Sequence, residues 1–163
     1  MIIWAYFCTR REGLYINTSQ IWQVAASPGK TTMQSDLTDA ELVKQANQRF
    51  YDAFGALDIN EMEAAWENSD QALCVHPGWQ PLVGWQSIRD SWQGIFDNTT
   101  LMHFNIQYVN VVVSGDCGWV TCVENISSVL QGRASNFGVL ATNIFVRTPQ
   151  GWRMIAHHAS PGV

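Results

Sequence analysis

A histidine at the end of a short apolar strand is the side chain with the clearest capacity for chemistry. His76 follows the apolar run 72–75 and precedes Pro77, which has no N–H group with which to continue a strand. An imidazole has an ordinary pKa of about 6.5, so it is partly neutral near pH 7 and can act as a general base. His76 is therefore a candidate catalytic base, and a strand-end histidine bonded to a backbone carbonyl is the structural alternative.

Aromatic side chains surround this histidine in the sequence. Prolines and glycines shape the loop of residues 77–84, and apolar residues then recur every three or four positions from Trp85 to Phe96, which predicts an amphipathic helix. The chain contains eight tryptophans, and so many amphipathic rings favour an aromatic-walled cavity or a large interface. We expect three of them to line a ligand pocket, with burial in the core as the alternative for each: Trp66, Trp79 and Trp92.

The other elements follow from capping residues and from the period of the apolar positions. Thr38 and Glu41 form a capping box that begins a first helix, and Asp58 caps a second helix. From His103 onward the period changes to two, with a bulge near Tyr108. We expect antiparallel strands at residues 103–113, 119–130, 136–148 and 152–160. These elements predict an α+β fold in which a curved antiparallel sheet, with three helices on one face, encloses a conical pocket.

A carboxylate interrupts the apolar pattern of one long strand. Glu124 would have a raised pKa if it faced inward and could then act as an acid or a base. Facing outward, it would pair with Arg133 or Arg147 at an interface. A metal site made of His76, His157 and Glu124 is conceivable, but no HxH or HxxxH spacing supports it. We therefore predict no bound metal and no cofactor.

The orientation of the last strand decides which of two adjacent histidines is internal. His157 and His158 point to opposite sides, because neighbours on a strand alternate. If Ile155 and Ala159 face the pocket, His157 does so too, and Ile155 then contacts the ligand. The outer face, which we expect to contact a second subunit, would carry the remaining residues: Trp152, Met154, Ala156 and His158.

Composition and charge exclude several classes of function. The formal net charge is −5 and no basic stripe is present, which argues against nucleic-acid binding. The apolar residues 1–8 are too few to span a bilayer, and arginines follow them rather than precede them. We therefore predict neither export nor a membrane anchor. Cys74 and Cys122 lie in apolar strand patterns without CxxC spacing, which predicts buried thiols in a reducing cytoplasm.

Residues 1–32 do not continue the pattern of the rest of the chain. Their short apolar clusters end in a Pro-Gly break, and Met33 stands just before the first helix start. We expect one domain over residues 33–163, preceded by a non-native or loosely packed extension, with Met33 as the native initiator. The intact mass of the natively produced protein tests this expectation.

Four stretches resemble, in order, one known superfamily. They are Gln48-Arg-Phe-Tyr-Asp-Ala-Phe with Asp58, Val75-His-Pro-Gly with Gly84-Trp-Gln-Ser-Ile-Arg, Ala141-Thr-Asn-Ile-Phe, and Gly151-Trp-Arg-Met-Ile-Ala-His-His-Ala-Ser. Over residues 38–160 the chain is similar to the SnoaL-like, ketosteroid isomerase-like superfamily, also called nuclear transport factor 2-like. The resemblance implies a cystatin-like α+β cone.

The resemblance also implies a set of site residues. His76 stands where ketosteroid isomerases have an aspartate base, and Phe50 stands where they have an oxyanion-stabilising tyrosine. Asn143 matches their protonated aspartate, and Trp92 matches a pocket tyrosine. The pocket is kept while the enolising groups are replaced, and losing such an oxyanion donor typically costs about a hundredfold in rate. We expect His76, Asn143 and His157 to be the catalytic residues, with Asn143 orienting a ligand carbonyl. We also expect Phe50 and Glu124 to contact the substrate.

Two functions of different classes follow from the resemblance. The first is an isomerase, cyclase or dehydratase that acts on a small apolar or aromatic cyclic molecule, with His76 as the base. The second is a non-catalytic ligand-binding or assembly module, a homodimer formed through the sheet face. Residues 152–160 favour the second, since they are similar to the association domain of calcium/calmodulin-dependent kinase II.

Overall fold

The computed structural model of the protein describes residues 37–162, which form three α-helices and six β-strands. The helices are α1 (Asp39–Ala56), α2 (Ile59–Ala65) and α3 (Trp85–Asp97). The strands are β1 (Leu73–Val75), β2 (Leu82–Val83), β3 (Thr99–Ser114), β4 (Cys117–Leu130), β5 (Arg133–Thr148) and β6 (Gly151–Pro161). The α+β class is confirmed. The expectations about residues 1–32 and Met33 lie outside the described residues.

Capping side chains set the ends of the first two helices, as predicted. Thr38 Oγ1 accepts a hydrogen bond from the backbone N–H of Glu41 at 3.3 Å, and the Glu41 carboxylate accepts one from the Thr38 N–H at 2.7 Å. Leu57 takes a left-handed conformation with φ of 54° and ends α1. Asp58 Oδ1 then accepts from the N–H of Asn60 at 2.9 Å and begins α2.

The six strands form one sheet in the order β2-β1-β6-β5-β4-β3. Strands β3 to β6 are an antiparallel meander, as predicted. The sheet is nevertheless mixed, because β1 runs parallel to β6, with Leu73 opposite Ala156 and Val75 opposite His158. The expectation of an antiparallel sheet is wrong for this pair, since the meander brings β6 back beside β1 in the same direction. Strand β2 was not predicted, because two residues show no period.

Three register shifts interrupt the meander, and the first lies between Thr99 and Leu101 of β3. The predicted bulge near Tyr108 is confirmed: the residue has a φ of 52°, and the β3–β4 register shifts between Gln107 and Asn110. Another bulge lies at Ile155 of β6. Met154 pairs with Phe145 and Ala156 pairs with Ile144, which are consecutive on β5, so Ile155 has no partner there.

The bulge at Ile155 changes which side chains of β6 face the core. Trp152 and Met154 are buried before it, and His157 and Ala159 are buried after it. The expectation that Trp152 and Met154 face outward is therefore wrong, because the extra residue shifts the alternation by one. The inward orientation of His157 is confirmed by its burial.

Helix α1 lies directly against the sheet. A Cβ atom at Gly118 of β4 would lie 2.7 Å from a methyl group of Val43, so a glycine is needed where helix and strand approach. The core between the helices and the sheet is rich in aromatic rings, and its largest fully buried side chains include Trp66, Trp92 and Phe50. Among the described helices, none is long and apolar enough to cross a membrane.

Candidate functional site

The end of β1 and helix α3 together place the candidate base. The His76 imidazole is 4% exposed, and its Nε2 atom lies 2.9 Å from Ser91 Oγ. Ser91 donates its own hydroxyl proton to the Ile88 carbonyl at 2.7 Å, so its oxygen is left to accept from His76. The proton of the neutral imidazole therefore resides on Nε2, and Nδ1 keeps a lone pair that faces the Cys74 thiol at 3.9 Å.

The second histidine is held by an amide. His157 Nδ1 lies 2.7 Å from Asn143 Oδ1, and an amide oxygen can only accept, so His157 donates from Nδ1 and keeps a lone pair on Nε2. Asn143 Nδ2 donates to Asn47 Oδ1 at 2.7 Å and to the Tyr51 oxygen at 3.2 Å. Both donors of Asn143 are thus used inside the protein, and its amide is directed at His157 rather than at a ligand carbonyl.

The two imidazoles are neighbours and are both neutral. Their ring centroids are 6.5 Å apart. Burial lowers the pKa of His76 to about 4 and the pKa of His157 to about 3, because an imidazolium would lose its hydration there. Near pH 7 the site therefore presents two fixed lone pairs, on His76 Nδ1 and on His157 Nε2.

Aromatic rings occupy the centre of the site. The Trp92 ring lies edge-on to His76 at 4.6 Å and to Phe50 at 5.7 Å, and Phe50 lies 5.2 Å from His157. All four side chains are buried. Since these rings fill the space between the helix α1 and the sheet, the ligand pocket expected here stays a prediction.

The other residues expected to contact a ligand lie around this centre. Trp79 is 52% exposed and packs edge-on against His76 at 5.0 Å, so it covers the imidazole from the solvent side. Trp66 is 2% exposed, ends α2 and lies 6.5 Å from Phe50. Ile155 is 6% exposed and belongs to the same core. Trp79 is thus the one residue of these three that borders solvent.

Glu124 faces inward, away from the arginines proposed as alternative partners. The side chain is 2% exposed, and its Oε1 accepts a hydrogen bond from the Tyr51 hydroxyl at 2.6 Å. Burial raises the pKa of Glu124 to about 7, against the lowering effect of the Tyr51 hydrogen bond. The outward alternative, pairing with Arg133 or Arg147, is wrong, and Arg147 pairs instead with two aspartates.

The sequence interpretation missed three polar residues of this interior. Asn47 and Tyr51 are four residues apart on one face of α1, and both contact Asn143. Ser91 stands between Asp90 and Trp92 on α3, is half-buried, and contacts His76. Polar side chains on the buried face of a predicted helix were the signal that would have found all three.

Two surface grooves lie away from His76 and His157. One, of about 650 Å³, lies between α1 and β3 and includes Tyr51 among its lining residues. The other, of about 660 Å³, lies between the first two helices and the β5–β6 turn. Within residues 37–162, no group of three or more His, Cys, Asp or Glu side chains is arranged to hold a metal ion.

Comparisons with known proteins agree with this architecture. The profile of a family described as the SnoaL-like domain matches residues 43–163. The F-box protein SKIP8 of Arabidopsis thaliana is 27% identical over 114 residues, which is 70% of this chain and 47% of that protein. The chain therefore spans about half the length of this curated relative.

Solved structures of the same fold include two with clear sequence identity. A dehydratase candidate of the nuclear transport factor 2-like family from Streptomyces avermitilis is 39% identical, with a TM-score of 0.72, over 77% of this chain and 96% of that chain. A candidate calcium/calmodulin-dependent protein kinase type II association domain from Thiobacillus denitrificans is 30% identical, with a TM-score of 0.66, over 74% of this chain and 94% of that one.

Proposed function

Since the chain belongs to the SnoaL-like domain family, we propose that it binds a small apolar or aromatic cyclic molecule and transfers a proton on it. The base is His76. The observation that carries this proposal is the pair of buried neutral imidazoles, His76 and His157, whose ring centroids are 6.5 Å apart among aromatic rings. The similarity to a dehydratase candidate favours elimination of water or the related isomerisation.

His76 has the features that a proton-transfer reaction needs. Its Nδ1 lone pair accepts a proton from a carbon next to a carbonyl. Its Nε2–H group meanwhile stays hydrogen-bonded to Ser91 Oγ. The resulting imidazolium then returns the proton to another carbon, which isomerises the substrate, or to a departing hydroxyl group, which releases water. Burial lowers the pKa of His76 to about 4, so this base is fully unprotonated at neutral pH.

Trp92 is the group best suited to receive the carbonyl oxygen. Among the described residues, its buried indole N–H has no hydrogen-bond partner, and its ring lies 4.6 Å from the His76 ring. A buried donor without a partner is costly, and a ligand oxygen would satisfy it. This indole supplies the donor that Phe50 cannot provide. His157 Nε2 accepts a hydrogen bond from a hydroxyl of the substrate.

The substrate enters past Trp79. This ring is half exposed and covers His76, and it belongs to the loop between β1 and β2. Rotation of Trp79 away from His76 uncovers the imidazole without disturbing the sheet. Flat, apolar molecules are the expected ligands, because a ligand that displaces the covering ring would contact the rings of Phe50 and Trp92.

Cyclic β-hydroxy ketones test this proposal. Loss of water from them gives an enone, which is followed by its ultraviolet absorbance, and deuterium uptake next to the carbonyl reports proton abstraction even without elimination. We expect the wild type to catalyse exchange and His76→Ala to be slower by about a hundredfold or more. His158→Ala, which removes an exposed imidazole one strand away, is the matched control. A folded His76→Ala variant that exchanges as fast as the wild type contradicts the proposal.

A second candidate, a non-catalytic dimeric module, is favoured by the outer face of the sheet. Val123 and Leu140 are paired across β4 and β5 and face away from the core, and Leu140 is 47% exposed. Similarity to an association domain candidate supports assembly through this face. Light scattering tests it: Leu140→Glu should turn a dimer into a monomer, whereas Val83→Glu on β2, also exposed, should not. A monomeric wild type contradicts the dimer.

We further propose that the protein works in a reducing compartment such as the cytoplasm. Among the described residues, Cys74 and Cys122 are buried and form no disulfide. Buried thiols of this kind are typical of proteins kept under reducing conditions. Fractionation of the producing cells tests the location directly.

A further inference from the structure

We infer that Glu124 and Tyr51 are positioning residues that fix the tautomer of His157 through Asn143. The inference rests on the proposed function, because that function gives the lone pair of His157 its task. The four side chains come from α1, β4, β5 and β6 and form one continuous buried chain of hydrogen bonds. Each hydrogen bond of this chain has a defined donor and acceptor, and the Glu124 carboxylate determines the first of these assignments.

Glu124 determines the orientation of the Tyr51 hydroxyl. An ionised carboxylate can only accept hydrogen bonds, so Tyr51 donates its single proton to Glu124 Oε1 at 2.6 Å. The Tyr51 oxygen is then left as an acceptor toward its other neighbours. These are Cys122 Sγ at 3.2 Å and Asn143 Nδ2 at 3.2 Å.

The orientation of the Asn143 amide follows from this acceptor. Its NH₂ group faces the Tyr51 oxygen, so its carbonyl oxygen faces His157, where it accepts from Nδ1 at 2.7 Å. A rotation of the amide by half a turn would present NH₂ to His157 instead. His157 would then have to accept at Nδ1 and carry its proton on Nε2, and the site would lose one of its two lone pairs.

Asn47 alone does not fix this orientation. Its Oδ1 atom accepts from Asn143 Nδ2 at 2.7 Å, but an amide can turn and present its NH₂ group in place of its oxygen. Two asparagines that turn together keep their mutual hydrogen bond. Glu124 is the one member of the chain that, when ionised, cannot switch from acceptor to donor, and Tyr51 transmits that constraint to Asn143.

Nitrogen-15 NMR of the histidine rings tests this inference without any ligand. The chain has four histidines, so a His157→Gln variant assigns the relevant signals. At pH 8, where Glu124 is ionised, we expect wild-type His157 to show a protonated Nδ1 and an unprotonated Nε2. This is the reverse of the tautomer that histidine favours in water.

The variants separate positioning from mere packing. Tyr51→Phe and Glu124→Leu should each shift His157 toward the Nε2–H form or toward a mixture of the two tautomers. Glu124→Gln should give a mixture of the two tautomers, because its amide can present either its oxygen or its NH₂ group to Tyr51. Tyr108→Phe, which alters a phenol that is 82% exposed, is the control for loss of a tyrosine hydroxyl.

An unchanged Nδ1–H tautomer in folded Tyr51→Phe and Glu124→Leu overturns the inference. So does a wild type whose His157 carries its proton on Nε2. If Tyr51→Phe does not fold, the comparison of Glu124→Leu with the wild type decides the question. The deuterium-exchange assay of the proposed function is independent of this readout, so a failure of one is distinguishable from a failure of the other.

Discussion

His157 and Glu124 lie at opposite ends of the same buried chain, and their surroundings differ in kind. The neighbours of His157 include the aromatic rings of Phe50, at 5.2 Å, and Trp92, at 6.1 Å. The neighbours of Glu124 include a hydroxyl and, beyond it, a thiol: Tyr51 donates to the carboxylate, and Cys122 lies 3.2 Å from the Tyr51 oxygen. One end is lined by rings that carry no charge, and the other is built from hydrogen-bonding groups.

The difference decides which end responds to pH near neutrality. Burial among rings lowers the pKa of His157 to about 3, so this end is neutral throughout the physiological range. Burial raises the pKa of Glu124 only to about 7, because the hydrogen bond from Tyr51 favours the ionised form. The carboxylate end therefore titrates in the cellular range, while the imidazoles of His76 and His157 stay neutral there.

The largest expected effect comes from removing one of the aromatic rings next to His157. Trp92 is fully buried and contacts the rings of Phe54 at 4.7 Å and His76 at 4.6 Å. Trp92→Ala should lower the free energy of unfolding by about 3–5 kcal/mol, through lost burial and the cavity left behind. Urea denaturation followed by circular dichroism measures this change.

Trp79→Ala is the matched control for loss of an indole. Its ring is 52% exposed and covers His76, so it should cost much less stability than Trp92→Ala while raising the access of solvent to the imidazole. Equal losses of stability in the two variants would mean that the rings at the centre do not form the core described above.

The pH dependence of stability tests the same difference between Glu124 and the histidines. The folded pKa of Glu124, about 7, lies above its ordinary value of 4.5, so the folded chain keeps a proton that the unfolded chain releases between these values. Its contribution to stability is therefore present below pH 4.5 and is lost as the pH rises through 7. The histidines act in the opposite sense, since the folded pKa of His76, about 4, lies below 6.5 and stability falls on acidification between them.

Glu124→Gln removes the contribution of Glu124 to the pH dependence of stability and leaves that of the histidines. The stability of the variant relative to the wild type should rise by about 3 kcal/mol between pH 4.5 and pH 7, at about 1.4 kcal/mol per pH unit for one proton. Asn125→Gln, a neutral change at an exposed position of the same strand, should leave the wild-type pH profile unchanged. Parallel profiles for Glu124→Gln and wild type would show that Glu124 does not titrate in this range.

The parts of the fold that the sequence predicted are those with a local physical signal. The capping box at Thr38, the helical spacing of α3 and the bulge at Tyr108 depend on neighbours within a few residues. The parallel pairing of β1 with β6 and the bulge at Ile155 depend on contacts between distant residues, so alternation along one strand could not show them. The bulge explains why Trp152 was assigned to the wrong face.

The same division holds within the site. The position of His76 followed from an apolar run and a proline, and the inward orientation of His157 followed from alternation near the strand end. The contact of Asn143 with His157 joins two strands at a register that only the assembled sheet defines. The direction of Glu124 was left open because an apolar strand offers two faces, and Tyr51, its partner on α1, was not identified from the sequence.

The smallest expected effect concerns the support of His76. Ser91→Ala removes the acceptor of the Nε2–H group and should lower stability by about 1 kcal/mol, since a buried donor is left without a partner. It should also free the imidazole to exchange tautomers, which nitrogen-15 NMR detects. Ser87→Ala, at an exposed position of the same helix, matches the change in helix propensity. If both variants leave the His76 signals as in the wild type, the Nε2–H tautomer depends on a neighbour other than Ser91, and the weak contact with Cys74 Sγ, at 3.7 Å from Nε2, becomes its support.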